Sequence, residues 1–130
     1  MQWLIYPLVA FVALVLLMQY RVQSRAHLSV GRPAPDTSVV DGEARADPRR
    51  VYYFYALHCG PCRAMTPMVD RLRETHRNLI KVNVADAPAL VRDFGVAATP
   101  SFVQVEDGAI RQVKIGGLGE KQLMSLLAEA

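Results

Sequence analysis

Residues 51–63 read Val-Tyr-Tyr-Phe-Tyr-Ala-Leu-His-Cys-Gly-Pro-Cys-Arg. Val51 to Ala56 is a β-rich run without a polar side, the pattern of a strand buried on both faces. From Pro61 to about His76 the period changes to that of a helix. Met65, Met68, Val69 and Leu72 share one face, with Arg71, Arg73 and Glu74 turned outward. Pro67 inside this helix is expected to kink it. The chain's two cysteines, Cys59 and Cys62, therefore fall where a strand hands over to a helix.

The pattern continues regularly beyond that junction. Leu79 to Val84 reads as a second strand and Ala87 to Phe94 as a short helix stopped at Gly95. Ser101 to Val105 is a third strand, and Asp107-Gly108 is a hairpin turn signal. Ile110 to Ile115 returns as a fourth strand, Gly116-Gly117 breaks it, and Glu120 to Glu129 closes the chain as an amphipathic helix. The order β-α-β-α-β-β-α implies an α/β fold with a mixed central sheet flanked by helices.

Ahead of this domain (residues 51–130), two further stretches are expected. Trp3 to Tyr20 carries no charged side chain. As a helix it would measure about 27 Å, close to the ~30 Å hydrocarbon thickness of a bilayer. Trp3 and Tyr6 at one end and Tyr20 at the other suit the interfacial aromatic belts. Residues 1–20 are therefore read as a single transmembrane anchor. A cleaved signal peptide fits less well, because no Lys or Arg precedes the run and the run is long, although Ser24-Arg25-Ala26 loosely fits a cleavage site. Residues 21–50 read as a tether. Gly31 to Asp36 is extended, each Pro excluding helix at the residue before it, and Thr37 to Val40 is a possible short strand.

The net charge of +3 comes from fifteen Lys/Arg and twelve Asp/Glu. Residues 51–130 hold nine basic and eight acidic side chains, so the domain lacks the basic stripe of a nucleic-acid binder. The basic excess lies beside the anchor, where anionic headgroups would attract it. Arg21, Arg25 and Arg32 after the span favour a cytoplasmic domain. An N-terminal anchor that leads its domain outward would place it in the periplasm. In both cases the expected location is the bacterial inner membrane.

Cys59 at a helix N-terminus meets unpaired N–H groups and the positive end of the helix dipole, which stabilise a thiolate. Its pKa is expected to fall from ~8.5 toward ~7 or lower. Arg63 adds positive charge nearby. Cys62, one turn on, is placed to attack a mixed disulfide. Pro61 in the first turn sacrifices no hydrogen bond. Other readings stay open on the residues alone. A structural disulfide with so short a loop would staple little. Zinc would need two more ligands, and beyond His58 only His27 and His76 exist, both distant in sequence. No metal is expected. Two unrelated buried thiols are a third reading.

Phe54 to Arg63, with its Cys-Gly-Pro-Cys, resembles the thioredoxin active-site block. Pro67 matches that family's kink proline and Lys81 to Val84 its following strand. Phe94-Gly95-Val96-Ala97-Ala98-Thr99-Pro100 resembles the segment ending in the family's cis-proline, and Gly116-Gly117 its late glycine turn. The resemblance spans residues 51–130. Gly31 to Asp36 is similar to the entry segment of membrane-tethered relatives. The resemblance implies a thioredoxin-like fold trimmed at its N-terminal side, since the family's first helix is missing before Val51. It implies Cys59 as attacking thiol and Cys62 as resolving thiol, in a loop completed by His58, Gly60, Pro61 and Arg63. It implies a cis Thr99-Pro100 facing the cysteines, with the Thr99 backbone pairing with substrate.

Two departures matter. Tyr53 stands where the family has a buried acid, so Lys81 loses its expected partner. His58 replaces the tryptophan before the first cysteine. His58 and Lys81 are therefore the candidate pKa-tuning residues, His58 as a pH-dependent charge beside Cys59.

These readings predict a membrane-tethered thiol–disulfide oxidoreductase of protein-disulfide reductase type, its redox centre the Cys59–Cys62 disulfide and no other cofactor. Its partners would be a disulfide-containing client protein, an upstream dithiol donor and the membrane through residues 3–20, with no nucleic acid. The alternatives are a disulfide oxidase or isomerase, and a non-catalytic adaptor at the membrane, which Tyr53 in place of the acid would suit.

Overall fold

A computed structural model of the chain describes residues 1–28, 30–42 and 47–128. The elements are α1 (Gln2–Leu28), α2 (Ser38–Asp41), β1 (Arg49–Tyr55), α3 (Gly60–Arg73), β2 (Leu79–Asn83), α4 (Pro88–Phe94), β3 (Ser101–Glu106), β4 (Ala109–Ile115) and α5 (Glu120–Ala128). The strands form one mixed sheet in the order β2-β1-β3-β4. β1 runs parallel to β2 and antiparallel to β3, and β3 runs antiparallel to β4. The closing helix agrees with the sequence reading as far as Ala128, Glu129 lying outside the described residues.

β1 is interior to the sheet and covered on both sides, which is why it has no polar side. Successive side chains of a strand point to opposite faces. Val51 and Tyr53 pack with Val69 and Leu72 of α3 and with Leu123, Leu126 and Leu127 of α5. Tyr52 and Phe54 pack on the other face with Leu90 and Phe94 of α4 and with Val103, Val105 and Ile110. Phe94 sits 5.3 Å from the Tyr52 ring and 5.6 Å from the Phe54 ring, and so fastens α4 to β1. α4 ends at Gly95, whose φ of +72° suits a residue without a Cβ. On β3, buried Gln104 donates from Nε2 to the carbonyl of Leu126 at 2.7 Å, which ties α5 to the sheet. The β3–β4 turn has positive φ at both Asp107 and Gly108, the geometry that joins twisted strands in two residues.

Thr37 to Val40 is not a strand. Ser38–Asp41 is a helical turn. The Asp36 carboxylate accepts the Ser38 N–H at 3.0 Å and starts the turn. The Thr37 hydroxyl bonds the Asp41 carboxylate four residues on, a spacing that a strand would pull apart. Asp41 is buried, and its carboxylate meets Arg50 Nη1 and the Tyr52 hydroxyl, each at 2.7 Å. Residues 31–34 lie along the start of β4. The Gly31 N–H donates to Ile110 at 2.7 Å, Ile110 donates to Arg32 at 2.9 Å, and Ala34 donates to Gly108 at 2.8 Å. This strap covers part of an edge strand that would otherwise offer unpaired backbone groups.

α1 is longer than the apolar run that starts it. Residues Gln2–Ser24 are long and apolar enough to cross a membrane, and no side chain from Gln2 to Arg21 is buried.

Burial, and next the bond to Asp41, raises the Tyr52 phenol well above its ordinary value. The unfolded chain releases that proton near pH 10.0 and the folded chain keeps it. Stabilisation from this source is therefore complete below pH 10.0 and is lost as pH rises past it. Tyr52→Phe is expected to flatten that alkaline decline in the detergent-solubilised chain. Asp41→Ala leaves Arg50 and the Tyr52 hydroxyl without their shared acceptor, at an expected cost of about 3 kcal/mol. Urea titration of the same sample reads both, and an unshifted midpoint for Asp41→Ala would mean that α2 contributes nothing to domain stability.

Candidate active site

The last residue of β1, Tyr55, leads through Ala56, Leu57 and His58 to Cys59, the N-cap of α3. Cys59 has extended backbone angles, and its sulfur accepts the Cys62 N–H at 3.2 Å. A sulfur there stabilises one of the helix's otherwise unpaired donors, and any negative charge on it gains from the helix dipole. Gly60 and Pro61 fill the first turn, where the missing proline N–H is not needed. Cys59 and Cys62 are joined as a disulfide with their Cα atoms 5.2 Å apart.

The two sulfurs are not equivalent. Cys59 is half-buried at the surface, whereas Cys62 is 1% exposed. Of the neighbouring loop residues, His58, Gly60, Pro61 and Arg63 are all exposed. Leu57 is 66% exposed, an apolar side chain displayed two residues before Cys59.

Beneath Cys62 lies a pair of hydroxyls. Thr66 Oγ1 donates to the Cys62 carbonyl at 2.8 Å. The Tyr53 hydroxyl stands 3.2 Å from that carbonyl and 3.1 Å from Thr66 Oγ1. Burial pushes the Tyr53 phenol up; the Thr66 bond opposes this, and the charge of Asp70 adds to it. Tyr53 is thus a neutral phenol at physiological pH. It locks the backbone of the first helical turn, and through it the N–H that meets the Cys59 sulfur. Tyr53 stands where the resemblance implies an acid, and the sequence signal for its hydroxyl's role is the small polar Thr66 one turn after Cys62.

With Tyr53 in place of the expected acid, Lys81 pairs with a different carboxylate. Its Nζ lies 3.2 Å from the Asp70 carboxylate and 4.9 Å from the centroid of the Tyr55 ring. Tyr55 in turn stacks on Tyr53, ring centroids 5.6 Å apart. Asp70 comes from the outer side of α3, eight residues after Cys62.

The Thr99–Pro100 peptide is cis, with Pro100 buried and Thr99 half-buried. Pro100 precedes β3, whose Ser101 pairs with Phe54 at the end of β1 that leads to the cysteines. The Pro100 carbonyl accepts the Gly116 N–H at 2.8 Å, and Gly116 has a φ of +96°. Cysteines, cis-proline and the Gly116 turn therefore share one end of the sheet. Among the described residues, no group of three or more His, Cys, Asp or Glu side chains could hold a metal ion.

The geometry agrees with what known proteins show. The family model for thioredoxin matches residues 38–129, including the helical turn before β1. A thioredoxin from Alicyclobacillus acidocaldarius is 32% identical over 79 residues, covering 58% of this chain and 75% of the relative. A thioredoxin from Pyropia yezoensis is 30% identical over 77 residues, covering 57% of this chain and 72% of the relative. Among solved structures, a mutant thioredoxin from Halobacterium salinarum superposes with a TM-score of 0.62 at 27% identity, covering 76% of this chain and 88% of that one.

After reduction, Cys59 is expected to react with iodoacetamide well before Cys62, as read by peptide mass mapping of partly alkylated chain. Equal labelling would mean that reduction opens the first turn of α3. Tyr53→Phe, which removes one buried hydroxyl, is expected to lower stability by about 1 kcal/mol and to narrow that difference in reactivity.

Proposed function

The chain belongs to the thioredoxin family and is a thiol–disulfide oxidoreductase, and from that premise we propose that it is a membrane-tethered reductant of protein disulfides. The observation that carries the proposal is the asymmetry of the cysteine pair: an accessible sulfur on a helix N-cap, with its partner buried one turn behind.

In this reading the Cys59 thiolate attacks one sulfur of a client disulfide. A mixed disulfide forms between Cys59 and the client, and the client's other sulfur leaves as thiolate. Cys62 then gives up its proton and attacks the Cys59 sulfur. The client's second sulfur leaves, and the Cys59–Cys62 disulfide remains. Two electrons have passed to the client, and an upstream dithiol donor must return them. The exchanging sulfurs are the redox centre, and the proposal calls for no other cofactor. Thr99, ahead of a proline that has no N–H, offers backbone groups to an extended client segment. His58 and Arg63 contribute charge near Cys59, and Lys81 acts at a distance, through Asp70 and the Tyr55–Tyr53 stack.

The reductant sense follows from the Gly60–Pro61 pair between the cysteines, which resembles the reducing members of the family. Anchoring follows from the length and apolar character of the start of α1. We place the chain in the bacterial inner membrane. Arg21, Arg25 and Arg32 favour a cytoplasmic domain, and a membrane-impermeant maleimide applied to intact cells reads the side directly.

A reduction potential below roughly −230 mV is expected for the full chain in detergent, and a value above roughly −180 mV would make it an oxidant or isomerase. Cys59→Ser is expected to abolish reduction of a model protein disulfide. Cys62→Ser is expected to accumulate mixed disulfides trapped by acid quench. A Cys59→Ser/Cys62→Ser chain that still complements the cell would replace the enzyme with an adaptor.

A further inference from the structure

We infer that the cysteine end of the domain faces the bilayer and rests on its anionic headgroups, so that the clients are membrane proteins whose disulfides lie at headgroup depth. This inference rests on the anchoring proposed above and adds an orientation to it.

The path of the chain along β4 carries the inference. Ala34 bonds Gly108, Gly31 bonds Ile110, and Val15 to Gln23 flank Ile115. As residue number falls along the strap and α1, position on β4 advances from the hairpin end to the cysteine end. The N-terminal turns of α1 therefore leave the domain past the cysteine end. The strap allows little freedom, since Leu28 and Gly31 are three residues apart and span at most about 11 Å.

The level of contact agrees with this direction. Leu14, Leu17, Met18, Arg21 and Val22 form a groove of ≈ 710 Å³ with Val96 and Ala97. The lining residues Leu14 to Val22 stand roughly 4–16 Å from the middle of the Trp3–Tyr20 run at ~1.5 Å per residue. That range runs outward through one leaflet to the edge of a hydrocarbon layer ~30 Å thick. Val96 and Ala97 lie just before cis-Pro100, and Ile115 precedes Gly116, which bonds the Pro100 carbonyl. The surface at the bilayer edge is thus the rim of the site.

Its chemistry fits a headgroup layer. The side chains facing α1 are apolar: Val96, Ala97 and Ile115. Around them stand Arg21, Arg32 and Arg92, of which Arg92 also meets Asp93 at 3.4 Å. Cations at this depth are attracted by anionic lipid. Val39, on α2, is 80% exposed and belongs to the opposite edge of the sheet, where α2 packs near β2, at the end away from the cysteines.

The experiment uses vesicles of phosphatidylglycerol and phosphatidylcholine, with and without bromine on the acyl chains, and reads tryptophan quenching. Trp3 is the chain's single tryptophan and reports the anchor itself. In the Trp3→Phe background, Ala97→Trp reports the site rim and Val39→Trp the far side. The expected result is strong quenching of Trp3, several-fold loss of emission for Ala97→Trp, and little loss for Val39→Trp. Quenching of Trp3 with equal responses at 97 and 39 would overturn the orientation and leave the anchor intact. Unquenched Trp3 would overturn the anchor. Hydrogen exchange of the unmodified chain reads the same surface without a substitution. Amides of 95–98 and 115–117 should exchange more slowly on anionic than on purely zwitterionic vesicles, and identical exchange on both would overturn the headgroup contact.

Discussion

The structure depends on β1 being buried on both faces. An interior strand between β2 and β3 must satisfy its backbone by pairing and its side chains by packing, so Val51 to Phe54 cannot present a polar side. The loop that carries the cysteines hangs from its end. Because Val51 and Tyr53 bind α3 and α5, while Tyr52 and Phe54 bind α4, the direction of the strand is held from both sides. The loop from Ala56 to His58 then has one place to go, and it delivers Cys59 to the start of α3. A thiol chemistry that needs a helix N-terminus receives one because the strand before it cannot shift.

Most of this was legible in the sequence, because it rests on periodicity and on local turn chemistry. The apolar run of β1, the helical spacing of Val69 and Leu72, the stop at Gly95 and the Asp107-Gly108 turn each carry their own signal within a few residues. What escaped was carried by side chains that meet across long separations. Thr37 and Asp41 look like tether residues until Arg50 and Tyr52 arrive beside them, nine to fifteen residues later in the chain. Once they do, a stretch with two β-branched valines folds as a helical turn, because a buried carboxylate with three partners outweighs a weak strand propensity. The ion pair of Lys81 is hidden from the sequence for a related reason. Its partner Asp70 is on a different element, and only the packing of α3 on β2 brings the two together.

Tyr53 shows how a site can keep its geometry while changing its electrostatics. A carboxylate under Cys62 would have to be desolvated, and it would then carry either a charge or a proton at the cost of burial. The phenol avoids that choice. It stays neutral, packs its ring against Phe102 at 5.0 Å and Tyr55, and uses only its hydroxyl at the polar floor of the site. Together with Thr66 it satisfies the Cys62 carbonyl, so the first turn of α3 is rigid without a buried charge. The consequence is a division of labour. The backbone amides around Cys59 supply electrostatic stabilisation, whereas the hydroxyl pair supplies position.

The strap along β4 fixes the path of the chain between α1 and the sheet. A flexible leash of some twenty residues would let the domain sample many orientations, and each productive encounter would bear the entropy of choosing one. Residues 31–34 remove most of that freedom by pairing with 108–110, and the Thr37–Asp41–Arg50–Tyr52 network fixes the chain again a few residues later. Backbone bonds and buried polar contacts make both fastenings, and Ala34 and Val40 add apolar packing against the core. If α1 spans a membrane as proposed, the domain is thereby held at a set height and attitude relative to it. On the proposed anchoring, an enzyme confined in this way would meet, at high effective concentration, partners that share its surface. Selection among disulfides would then come from position before it comes from contacts at the cysteines.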